Sequence, residues 1–140
     1  MFATAHASRA SSAYRQVGVE TGVAAASAHD LVAMLFEGFF DRLAQARGAL
    51  IAGRIEDKGR AIGRAVRIVE EGLRAALDEQ RGGKLAADLK VLYGYVVVRL
   101  TEANLRNDLA ALEECARLVE PLRAAWQAIA PRGGDTDPLR

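Results

Sequence analysis

Apolar residues recur along most of the chain at the three-and-four spacing that one face of an α-helix requires. Leu31, Leu35, Phe39, Leu43, Ala46 and Leu50 form the first such stripe. Ser27 followed by Asp30 has the form of a capping box, and Gly53 suits a C-terminal cap. A first helix is therefore expected over about 28–52. A second is expected over about 56–80, with Ile62, Val66, Val69, Leu73 and Leu77 facing inward, and with Gly82-Gly83 as the turn that ends it. A third should run from about 84 to 104. A fourth, capped by Asn107 or Asp108, should run from about 109 to 129, with Leu112, Cys115, Val119, Leu122 and Trp126 inside. Pro121 removes one ladder bond from that helix, so a kink near Arg117 is expected, with Trp126 packing to offset its cost.

No stretch shows period-two alternation between hairpin turns, so no sheet is expected. The fold class is all-α: an antiparallel up-down four-helix bundle over residues 27–130. Residues 1–26, rich in Ala, Ser, Thr and Gly, read as a mobile N-terminal arm. The PRGGDTDPLR segment at 131–140 reads as a disordered tail.

The third helix carries more apolar surface than one core can use. Leu85, Leu89, Leu92, Val96, Leu100 and Ala103 fall on one stripe. Ala87, Val91, Gly94, Val98 and Leu105 fall on a second stripe, nearly opposite. A helix at the surface needs one apolar stripe, whereas one that is apolar all round is normally covered. On the second helix, Ala61, Ala65, Ile68, Gly72 and Ala75 form a row of mostly small residues that would let another backbone approach. Together these faces describe a groove for an amphipathic partner helix. The pattern leaves open whether a foreign partner, a second copy or the chain's own arm fills it. In the arm, Tyr14, Val17 and Val19 are the candidate anchors, and Met34 and Phe40 at the edge of the first helix's apolar arc are candidate docking points.

Composition narrows the function classes. With 140 residues, 51% hydrophobic and 26% charged, the chain is long enough for one packed domain. A net charge of +1 gives no general attraction to nucleic acid or to an acidic membrane. Arg54, Lys58, Arg60, Arg64, Arg67 and Arg74 concentrate on the second helix, but Glu56, Asp57, Glu70 and Glu71 lie among them and no aromatic residues interleave. The single cysteine, Cys115, cannot form an internal disulfide, which fits a reducing compartment. No signal peptide or membrane span is legible, so a cytoplasmic protein is expected. The two histidines, His6 and His29, lack the Glu-x-x-His spacing of a two-metal bundle. Cys115 falls on an apolar stripe without a basic partner, and reads as a small buried hydrophobe. No enzyme, metal or cofactor is expected.

Four segments together resemble one known family. AYRQVGVETGVAAASAHDLVAMLFEGFFDRLAQARGAL, residues 13–50, has an early tyrosine at Tyr14, a helix start at Ser27 and the run LVAMLFEG at 31–38. Further on stand Gly82, Gly83, Asp88, Leu89, Leu92, Tyr93, Tyr95, Arg99 and Leu100, and LVEPLRAAWQAI lies near the end. Their order and spacing resemble the flagellin-specific secretion chaperone family, FliS, over about residues 13–129. Ala28 stands where the family commonly has proline and Asp88 where it commonly has asparagine, and Pro121 is atypical. The resemblance implies a cytoplasmic four-helix bundle that binds the disordered C-terminal segment of flagellin. It also implies that the chaperone prevents premature polymerisation and helps deliver the client to a component of the flagellar export gate. The free protein is then expected as a monomer or weak homodimer. The alternative from the residues alone is a structural bundle whose extra stripe is a homodimer interface.

Overall fold

A computed structural model describes residues 27–129. Four helices follow one another: α1 (Ala28–Ile51), α2 (Ile55–Arg67, continued by a π-helical stretch, Ile68–Leu73), α3 (Glu79–Arg106) and α4 (Leu109–Ala128). Among the described residues there is no strand. α1 packs along α2 and α4, and α3 packs along the same two helices, so α1 and α3 stand at opposite corners of an up-down bundle. Phe39, Ile62, Val69, Val96, Leu100, Leu112, Cys115 and Val119 fill the centre. The expected arm and tail, with Tyr14, lie outside the described residues.

Local chemistry sets most helix ends. The Asp30 N–H donates to the Ser27 hydroxyl at 3.1 Å while the Ser27 N–H donates to the Asp30 carboxylate at 3.4 Å, which completes the capping box. At the other end of α1, Gly53 takes a left-handed conformation (φ 80°) and Arg54 N–H reaches back to the Ala49 carbonyl at 2.8 Å. Asp108, not Asn107, caps α4, accepting from the Ala111 N–H at 3.2 Å. Asn107 instead closes α3 in the left-handed region (φ 53°). Lys58 of α2, buried, donates to the Asn104 carbonyl (2.7 Å) and the Asn107 side-chain oxygen (2.6 Å), so its charge serves the negative end of α3.

The second connection departs from the expectation. The second helix does not reach residue 80; it ends in the π-helical turn, and Asp78 then caps α3 by accepting from the Gln80 and Arg81 N–H groups at 3.0 and 3.3 Å. Gly82-Gly83 therefore does not end α2; it separates this first turn of α3 from the main helical run, which starts at Lys84 as expected. Gly83 breaks the helix after its first turn (φ 54°, ψ −131°). A capping carboxylate upstream satisfies the first-turn amides of a new helix, and this places the boundary earlier than the glycines do. At Pro121 the chain stays helical, with Pro121 and Arg117 both exposed. Trp126 ties the bundle ends together: its ring stacks on His29 at 4.9 Å, its indole N–H donates to the His29 carbonyl, and His29 Nε2 donates to the Trp126 carbonyl, both at 3.0 Å.

α1 and α2 approach closely because α2 presents Ala61, Ala65 and Gly72 to α1. A Cβ added at Gly72 would lie 2.8 Å from Leu35 Cδ2, whereas one at Gly48 or Gly63 would meet nothing within 4 Å. Gly72→Val is therefore expected to cost about 1–3 kcal/mol through overpacking. Gly48→Ala and Gly63→Ala, both on open helix surface, are expected to gain about 0.5–1 kcal/mol. Urea unfolding of the three variants checks the contrast.

Candidate binding surface on the third helix

After Gly83, α3 runs without interruption to Arg106, and its two faces have opposite fates. Inward lie Ala86, Tyr93, Val96, Leu100 and Ala103, all buried, with Leu89 and Leu92 half-buried against them. Outward lie Val91 (73% exposed), Val98 (54%) and Leu105 (77%), with Gly94 half-buried between the first two and Ala87 half-buried one turn before Val91. Among the described residues, nothing covers this outward row. Leu85, expected inside, is exposed, because it follows the Gly83 break directly and Ala86 takes the inward position.

The rest of the expected groove is absent. Ala61, Ala65 and Gly72 are buried, Gly72 against Leu35 of α1, so the small-residue row of α2 belongs largely to the core, and Ala61 alone of these three also lines a cleft beside α1. The reason is size: without bulky side chains between them, α1 and α2 close up at Gly72, and a gap between the two helices stays open only near Ala61. Ile68 is half-buried, with its Cδ1 against Gly38 of α1. Gly94 does not face open space either, since the Arg74 guanidinium would lie 3.8 Å from a Cβ placed there. Met34 (exposed) and Phe40 (half-buried) both sit on α1, the opposite corner from the α3 row. Being six residues apart, they point about 120° away from each other and do not share a docking face. Phe40 packs edge-on against Phe39 and lies under the Arg123 guanidinium.

Paired charges line both edges of the α3 row. On the α4 side, the Tyr95 hydroxyl donates to Glu114 at 2.6 Å, and Arg99 bridges Glu114 and Glu102, each at 2.7 Å. The Tyr95 hydrogen bond, and then Arg99, hold the Glu114 carboxyl below its usual range. The same hydrogen bond raises the Tyr95 hydroxyl. On the α2 side, Arg74 pairs with Glu70 and Lys90 with Glu79. The charges on the α2 side pair one to one and Arg99 serves two glutamates on the α4 side, so what the row leaves unpartnered is mainly apolar area. Tyr95 (44% exposed) extends this surface. Periodicity alone did not find Tyr95, because its partner Glu114 is on another helix.

Among the described residues, no cluster of three or more His, Cys, Asp or Glu could hold a metal ion. Burial pushes the Cys115 thiol up to about 12, and it lies 3.8 Å from the Val96 carbonyl. No helix among the described residues is long and apolar enough to cross a membrane.

Comparison with known proteins decides what kind of bundle this is. The sequence profile of the family described as flagellar protein FliS matches residues 10–133. The chain belongs to the FliS family. It is 44% identical over 120 residues to the flagellar secretion chaperone FliS of Salmonella typhimurium, covering 86% of this chain and 89% of that protein. It is also 44% identical over 124 residues to the flagellar secretion chaperone FliSB of Pseudomonas aeruginosa, covering 89% and 98%. Against the Bacillus subtilis flagellar secretion chaperone FliS, identity is 31% over 115 residues, 82% and 81% of the two chains.

The two buried groups on either side of the α3–α4 contact make stability depend on alkaline pH. Burial raises Tyr93 to about 12 and Cys115 to about 12. Both folded values exceed the unfolded ones, about 10 for Tyr and about 8.5 for Cys. Their stabilisation is therefore complete below about pH 8.5 and is lost progressively as pH rises toward 12. The urea midpoint is expected to fall across that window, and Cys115→Ala is expected to remove the part of the fall between about pH 8.5 and 10.

Proposed function

We propose that this chain is a flagellar export chaperone that binds the disordered C-terminal segment of flagellin in the cytosol and masks its assembly surface. In this reading it also helps present the subunit to a component of the type III export gate. One observation carries the proposal: the uncovered row of Val91, Val98 and Leu105 on a bundle of this family. Ala87, Gly94 and Tyr95 complete the surface offered to the client, and Tyr14 of the arm is a further candidate contact. Masking requires no bond to be made or broken and no nucleotide. The free protein is a monomer or weak homodimer in this reading.

The magnitudes favour a client that wraps. A client helix laid from Val91 to Leu105 would order on the order of 14 residues, at about 1–2 kcal/mol each. Burying on the order of eight apolar side chains from both partners returns about 1.5–3 kcal/mol each. These sums nearly cancel, so the α3 row can seat one client segment but cannot hold it alone. Further contacts elsewhere on the bundle are needed for stable capture.

Val91→Asp and Val98→Asp are expected to weaken flagellin binding at least about tenfold each, the equivalent of roughly 1.4 kcal/mol, with unchanged helical content and melting. Co-purification should be lost when the flagellin C-terminal segment is deleted. Unfolding of the variants would return the row to the core. A peptide-insensitive dimer, dispersed by the same variants, would assign it to self-association.

A further inference from the structure

A second unpartnered surface lies between α1, the helix diagonal to α3, and α2. Between α1 and α2 runs a cleft of about 360 Å³, with Ala44, Gly48, Ala49 and Ala61 on its apolar side and Arg54, Arg60 and Arg64 along the other. Asp57 is the one carboxylate in its lining, and it is shared by Arg54 and Arg60. Arg64 pairs with no carboxylate among the described residues, so three guanidinium groups face one acid. Gly48 contributes open room, since a Cβ there would touch nothing within 4 Å. Nothing in the packing of α1 requires a glycine at that exposed position.

We infer that this cleft docks an acidic helical segment of another protein, placing small or aliphatic side chains over Ala44 and Gly48 and carboxylates against Arg54, Arg60 and Arg64. Charge decides the occupant. A second copy related by a two-fold axis would bring arginines against arginines. Residues 1–26 carry Arg9 and Arg15 against Glu20, and residues 130–140 carry Arg132 and Arg140 against Asp135 and Asp137, so neither flank supplies net acid. Nucleic acid is the weaker fit, because the cleft has an alanine and glycine floor and no aromatic side chain on which a base could stack. Arginine forks match carboxylates in two-point geometry, which favours glutamate and aspartate side chains as the recognised groups. None of the cleft's lining residues belongs to the α3 row.

The test is an amide NMR titration of the full chain with a peptide of about 15 residues built from Ala, Leu and Glu, long enough to be partly helical. Its counterpart with every Glu replaced by Gln and an oligothymidylate of similar length serve as the other probes. Shifts are expected at Ala44, Gly48, Arg60 and Arg64 with the acidic peptide, and about tenfold weaker binding with the Gln peptide. Arg64→Glu is expected to weaken the acidic peptide about tenfold, and Gly48→Met, whose Cβ meets nothing within 4 Å, at least about fivefold. Val98→Asp is expected to change neither, which separates this site from the client surface. No shifts up to about 1 mM peptide, equal binding of the Glu and Gln peptides, tighter binding of the oligonucleotide, or shifts confined to residues 91–105 would each overturn the inference.

Discussion

The close approach of α1 and α2 settles which apolar surface of this bundle is left over. Ala61, Ala65 and Gly72 turn toward Leu35 and its neighbours, and with no side chains to hold the helices apart the pair closes. Glycine and alanine bury little area themselves, so the stabilisation comes from the larger residues that closure brings together, Phe39, Ile62 and Val69 among them. Once that face is consumed, the core accepts only one side of α3, through Tyr93, Val96, Leu100 and Ala103. The other side, with Val91, Val98 and Leu105, remains in water.

The sequence revealed some features through local chemistry and concealed others that depend on tertiary choice. α1 and α4 were readable to within a residue or two because Ser27 with Asp30, Gly53 and Asp108 act on their own backbone neighbours. The α2–α3 boundary was not, because two signals compete there: a glycine pair and a capping aspartate, Asp78, four residues earlier. The outward row of α3 was legible because β-branched and leucine side chains on two opposite sides exceed what one core can bury. The small row of α2 was misassigned for a physical reason. Ala and Gly give the same pattern whether the backbone that approaches is a partner's or a neighbouring helix of the same chain.

Under the proposed function, the edges of the α3 surface would favour release of a bound client. Tyr95, Arg99, Glu102 and Glu114 satisfy one another in the absence of a partner, as do Arg74 with Glu70 and Lys90 with Glu79. A client therefore gains area and little charge pairing, and each contact is modest. Affinity built from many weak apolar contacts is reversible segment by segment. That reversibility is what the proposed role in holding and then handing over a subunit would require. The His29–Trp126 clasp at the far end of the bundle keeps the first and last helices in place independently of that exchange.

The role of the α3 row is tested most directly by methyl NMR of the full chain, recorded on addition of the flagellin C-terminal segment. The expected result is that the methyl signals of Val91, Val98 and Leu105 shift or broaden while those of the buried Val69 and Val119 stay in place. Unmoved signals from the α3 row at saturating client, with perturbation elsewhere on the bundle, would contradict a binding role for this face.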